Sequence, residues 1–181
     1  MPREAWGGVG ERLCGIASVV AVHRLREVSC LYGFTRFEAA PTAIDGDIEE
    51  ITISVDGAAL ANELTSLPAI EQFGEGVFLT FDSTRIDSWL GSARVRARED
   101  TLRKGFARWV AKRFQGRLKT PDFPSVAYYI LHAFSHATMA EIALECGYPT
   151  TALKDRIYAL PGEGGHKFGL LLYTATAGAQ R

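Results

Sequence analysis

The chain has 181 residues, 47% of them hydrophobic and 23% charged, with a formal net charge of -1, which describes an ordinary globular domain long enough to bury one sizeable core. Its longest uncharged apolar run, Cys14 to Val22, is far short of the ~20 residues a membrane helix needs, and no signal-peptide pattern precedes it, so a cytoplasmic protein without membrane contact is predicted. Cys14, Cys30 and Cys146 are odd in number and contain no Cys-x-x-Cys pair, which excludes a disulfide framework and an autonomous zinc cluster and predicts reduced, buried thiols.

Residues Glu11 to Val28 place Leu13, Ile16, Ala17, Val19 and Val20 near helical spacing, against one helix-weakening Gly15, and predict a helix. Extended chain is expected from Ser29 to Phe37, and Ile51, Ile53 and Val55 alternate with polar residues as a half-buried strand does. Pro41 and Asp45-Gly46 lie between them, which reads as a hairpin with a long loop. Ala58 to Leu67 reads as a short helix stopped before Pro68. Val77 to Phe81 is a strand candidate, after which Asp82 or Ser83 caps a helical region broken at Gly91-Ser92 and continuing to about Lys119.

A long helix is predicted from about Asp122 to Pro124 onward, with Val126, Ile130, Phe134, Ala137, Met139, Ile142 and Leu144 making it apolar nearly all round, the pattern of a central element. Gly147 stands where a left-handed cap needs a residue without Cβ. Thr150 or Thr151 then caps a second, shorter helix through Ile157, Gly162 to Gly165 forms a loop, and Phe168 to Thr174 is a last strand. The sum is an α+β fold, a small antiparallel or mixed sheet packed against several helices. It divides into an N-terminal lobe, residues 1–90, and a helical C-terminal lobe, residues 91–181, or runs as one continuous domain.

The neutral total conceals a strong asymmetry. Ten of the twenty Lys and Arg residues lie between Arg94 and Lys119, against only Glu99 and Asp100. Val95, Leu102, Phe106, Val110, Phe114 and Leu118 form the apolar stripe of that helix and leave most of the cations on the other side. Clustered cations release counterions from phosphates and give affinity without sequence preference. Arg103, Lys104, Arg108 and Lys112 are therefore the candidate nucleic-acid contacts, with Trp109 as a base-stacking residue.

His132 and His136 are four residues apart and share a helical face. Such a pair is either part of the structural core or the start of a metal site, and a catalytic zinc needs a third ligand that only His166 or His23 supplies through the fold. Ala133 stands where a zincin has its glutamate. Ile142 to Ile157 also fits a helix-turn-helix through Ala143, Gly147 and Leu153, although Thr150, Thr151, Lys154 and Asp155 are a poor set for reading bases. No Walker or dinucleotide glycine loop and no Gly-x-Ser-x-Gly elbow occurs in the sequence.

The runs LHAFSHA, ALECGY, LKDRIY and GLLLYTATAG, together with RLREVSCLYGFTRFE (Arg24 to Glu38) and GEGVFLTFD (Gly74 to Asp82), resemble the DrmB family of the DISARM anti-phage system in order and spacing, from about Val22 to Gly178. The C-terminal part resembles a domain of poorly defined function that also closes MrfA-type DNA-repair helicases. The resemblance implies a non-catalytic accessory and assembly module with a helicase-type protein partner, acting beside it on DNA. In the related full-length proteins, cysteines that follow this region bind zinc; this sequence has none there, so it reads as a fragment or a truncated open reading frame, with no cofactor of its own expected. The rival expectations are a helix-turn-helix regulator and a metal-dependent hydrolase using His132 and His136.

Overall fold

The computed structural model describes residues 15–31, 33–34, 60, 65–114, 120–147, 149–160, 167–174 and 176–177. Among them five strands and three α-helices follow in the order β1 (Ile16–Cys30), β2 (Ala69–Phe81), α1 (Ser83–Leu90), α2 (Ala93–Arg113), α3 (Val126–Cys146), β3 (Leu153–Leu160), β4 (Lys167–Thr174) and β5 (Thr176–Ala177). All pairings are antiparallel, in the order β1-β2-β4-β3, with the short β5 beside the start of β2. The expected α+β class holds. Because β2 pairs with β4, residues on both sides of Leu90 contribute to one sheet.

The first predicted helix is instead the long strand β1, which runs against β2 from Ile16↔Phe81 to Cys30↔Ala69. Gly15 directly precedes it with φ 103, a left-handed value that a side chain rarely tolerates. Its carbonyl accepts from the Asp82 amide at 2.8 Å, and the Leu31 amide reaches the Pro68 carbonyl at 2.8 Å, so both ends of the pair are closed. The expected strand at Ile51 to Val55, its hairpin loop and most of the Ala58 to Leu67 helix lie outside the described residues. Cys14 does too. Cys30 and Cys146 are free and exposed rather than buried.

Asp82 caps α1 as expected, its side chain accepting from the Arg85 amide, and Gly91-Ser92 separates α1 from α2. Ser125 caps α3 by accepting from the Tyr128 amide, and Gly147 ends it with φ 71. The second short helix does not form. Thr150–Ala152 make one 3₁₀ turn, and Leu153 onward pairs with β4 from Leu153↔Thr174 to Leu160↔Lys167. Alternation explains this: Ile157 and Ala159 pack toward the helices, while Lys154 and Tyr158 meet partners on the other face of the sheet.

Two apolar clusters share the space between sheet and helices. Ile16, Leu79, Leu170 and Leu172 form one, with Phe134, Met139 and Ile142 of α3 against it; Ala127, Leu131 and Phe168 form the other, with Ile86 and Leu90 of α1. Phe81 and Ile157 touch both and join them. Helix α3 thus lies along the sheet, yet its apolar composition overstated its burial: Ile130 is 41% and Leu144 77% exposed. Val95 is the only buried residue described in α2, and the rest of its apolar stripe is half-buried as far as Phe114. That helix buries Val95 near its N-terminal end, meets Phe123 through Arg103 and Phe106 further along, and presents most of its length to solvent.

Candidate nucleic-acid interface

Lys104, Arg108 and Lys112 recur every fourth residue on α2, so they form one ridge, each about 6 Å further along the axis. All three are exposed. Arg94 and Arg98, also exposed and four residues apart, lie on the same side nearer the N-terminus, although the four-residue step back from Lys104 falls on the exposed Asp100. Arg108 donates from Nε to the Lys104 carbonyl at 3.3 Å, which lays its guanidinium along the ridge without neutralising it. Among the described residues no carboxylate is paired with Arg94, Arg98, Lys104, Arg108 or Lys112. Five cations without an ion-pair partner among the described residues, with Asp100 the one carboxylate in the ridge row, give this side of the helix an excess of positive charge suited to polyanions.

Arg103 is drawn elsewhere. Its Nη2 lies 2.6 Å and its Nε 2.9 Å from Glu99 Oε1, and its guanidinium sits 4.4 Å over the Phe123 ring. The ion pair is largely solvent-exposed and contributes little stability by itself, but with the cation–π contact it orients the group away from the ridge. Trp109 is 45% exposed. Its ring is held between Phe106 at 5.4 Å and Phe114 at 5.3 Å, and helical spacing sets it one turn from Lys112. A fixed indole beside a cation is able to stack on a base without first being ordered.

The histidines take a different position. Their ring centroids are 4.4 Å apart at 80°, and His132 also stacks on Tyr128 at 5.8 Å and 12°. His132 Nδ1 is buried with no hydrogen-bond partner, whereas His136 is exposed. Among the described residues no group of three or more His, Cys, Asp or Glu side chains gathers to hold a metal; His23 lies exposed on β1, and His166 is outside the described residues. The rings extend an aromatic series from Trp109 and Phe106 through Phe123, Tyr129 and Tyr128, which links α2 to α3. The helix-turn-helix expectation fails on geometry, since the would-be recognition helix is strand β3 and pairs with β4.

Two polar connections had no sequence motif to announce them. Ser135, with no exposed surface, donates to Asp155 Oδ2 at 2.6 Å and ties α3 to β3. On the opposite sheet face Lys154 donates to Glu27 at 2.7 Å and to Gln72 at 3.3 Å, and the Tyr173 hydroxyl donates to Glu27 at 3.2 Å. Burial, then the Glu27 charge and the hydrogen bond to it, push the Tyr173 phenol from 10.0 up to about 12. Between pH 10.0 and about 12 the folded chain therefore holds a proton that the unfolded chain has lost, so this contribution to stability is complete below that window and vanishes as pH rises through it. Denaturation midpoints measured across the window should fall more steeply for the parent than for Tyr173→Phe. Equal slopes would refute the assignment.

No helix among the described residues is long and apolar enough to cross a membrane. No family model matches the chain. Over 160 residues, 87% of its length, it is 31% identical to the DISARM protein DrmB of Bacillus paralicheniformis. The match takes in 26% of that protein, so the chain spans about a quarter of the length of the curated relative.

Proposed function

We propose that this chain, which is DrmB-like over 87% of its length, is a non-catalytic accessory module of a DISARM-type anti-phage defence assembly. It works in the cytoplasm, docks on a helicase-type protein and contacts DNA without sequence preference through the α2 ridge. The relative's name supports the defence context. The DNA contact rests on one observation: Lys104, Arg108 and Lys112 stand exposed in a row, without carboxylate partners among the described residues. Phosphate neutralisation needs no more than such a row. This reading requires no resident cofactor, and it gives His132 and His136 a structural place in the aromatic series rather than a catalytic one.

Fluorescence anisotropy with single-stranded and duplex oligonucleotides of unrelated sequence, repeated across a salt series, tests the DNA contact. Affinity should fall steeply and linearly on logarithmic axes, alike for all sequences. Absence of binding at low salt, or strong preference for one duplex, would overturn it.

A further inference from the structure

The outer face of α3 is a separate surface from the α2 ridge. Ile130, Ala133, Ala137, Ala140 and Leu144 are all exposed, and their spacing alternates three and four residues, the repeat of a helix-on-helix seam. The opposite side of the same helix is already used, with Leu131 and Ser135 buried against the sheet. A seam with 41% of Ile130 and 77% of Leu144 in water is an exposed apolar patch of the kind that marks an interface. Helix α3 carries no Lys or Arg, which makes this face unsuited to nucleic acid.

We propose that two copies of this chain associate through this face, α3 against α3 in antiparallel orientation. The layout of the seam is nearly palindromic, with large residues at its ends and three alanines between. In an antiparallel pair centred on Ala137, Ile130 of one copy seats against Leu144 of the other and Ala133 lies near Ala140, and the central alanines allow the axes to approach to about 8 Å. Such a patch meeting itself is what a two-fold interface requires. Charge agrees. Glu141 and Glu145 are exposed near the C-terminal end of α3, where the helix dipole is negative and no basic residue in the last turn offsets it. The N-terminal turn has no acidic residue. Antiparallel packing brings the carboxylates of each copy beside the positive end of its neighbour.

Sedimentation equilibrium of the full chain at several concentrations tests this. A monomer–dimer equilibrium in the micromolar range is expected, shifted at least tenfold toward monomer by Ala137→Glu and left unchanged by Val20→Glu on the far side of the sheet. Ala133→Glu serves as the second seam variant if Ala137→Glu does not keep the parental circular dichroism. A parent that stays monomeric at every concentration, or a dimer indifferent to the seam substitutions, would overturn the proposal.

Discussion

Replacing Lys104, Arg108 and Lys112 together by glutamine should flatten the salt dependence of DNA binding by about 2.7 logarithmic units per unit, since each phosphate neutralised contributes about 0.9 to the slope. Three such contacts carry a roughly fortyfold loss of affinity between about 50 and about 200 mM salt, so the variant should lose most of its low-salt binding and most of its sensitivity together. Glutamine keeps the helix, because it ranks with lysine and arginine in helix propensity. Arg103→Gln is the informative contrast. Its charge is engaged by Glu99 and covers Phe123, so its removal should leave the slope nearly unchanged. An equal loss from Arg103→Gln alone would move the interface to the other side of α2, and an unchanged slope in the triple variant would remove the ridge from the account.

How far the fold was legible depends on how regular each element is. Helix α3 could be read from its apolar run and from Gly147, and strands β2 and β4 from Val77 to Phe81 and Phe168 to Thr174, because caps and short uninterrupted runs are local signals. Strand β1 was hidden by its own irregularity. Register shifts between Ile16 and Ser18 and between Val22 and Leu25 break the two-residue alternation, leaving apolar residues at spacings that imitate a helix. Strand β3 was hidden by chemistry. Its inward-facing Asp155 is a carboxylate satisfied by Ser135, twenty residues away, and no pattern rule anticipates a polar residue on the core face. The cationic candidates were visible as composition, but only the helix geometry separates the Lys104 ridge from Arg103, whose partner Phe123 lies on another segment. The histidine spacing was equally plain, while the surroundings that decide its role belong to the aromatic series and not to the motif.

Leu170→Ala should cost about 2–5 kcal/mol of folding stability, the range for truncating a leucine that cannot be replaced by collapse of its surroundings. Leu170 has no exposed surface and sits on β4, an interior strand flanked by β2 and β3, so the void opens beneath α3 at the centre of the sheet. The loss is a large share of the ~5–15 kcal/mol available to a domain. Ile70→Ala, on β2 but 61% exposed, should change stability by less than about 0.5 kcal/mol. Urea unfolding followed by far-ultraviolet circular dichroism separates the two. Circular dichroism reports on the sheet directly, whereas of the three tryptophans Trp89 and Trp109 lie on α1 and α2 and Trp6 is outside the described residues. A shifted midpoint with an unchanged slope would place the effect in the folded core. Helix α2 buries only Val95 among its described residues, so Leu170→Ala protein studied well below its unfolding midpoint should still bind DNA with the parental salt dependence. If that dependence is lost while the protein remains folded, the ridge is not independent of the sheet, and the separation between core and interface fails.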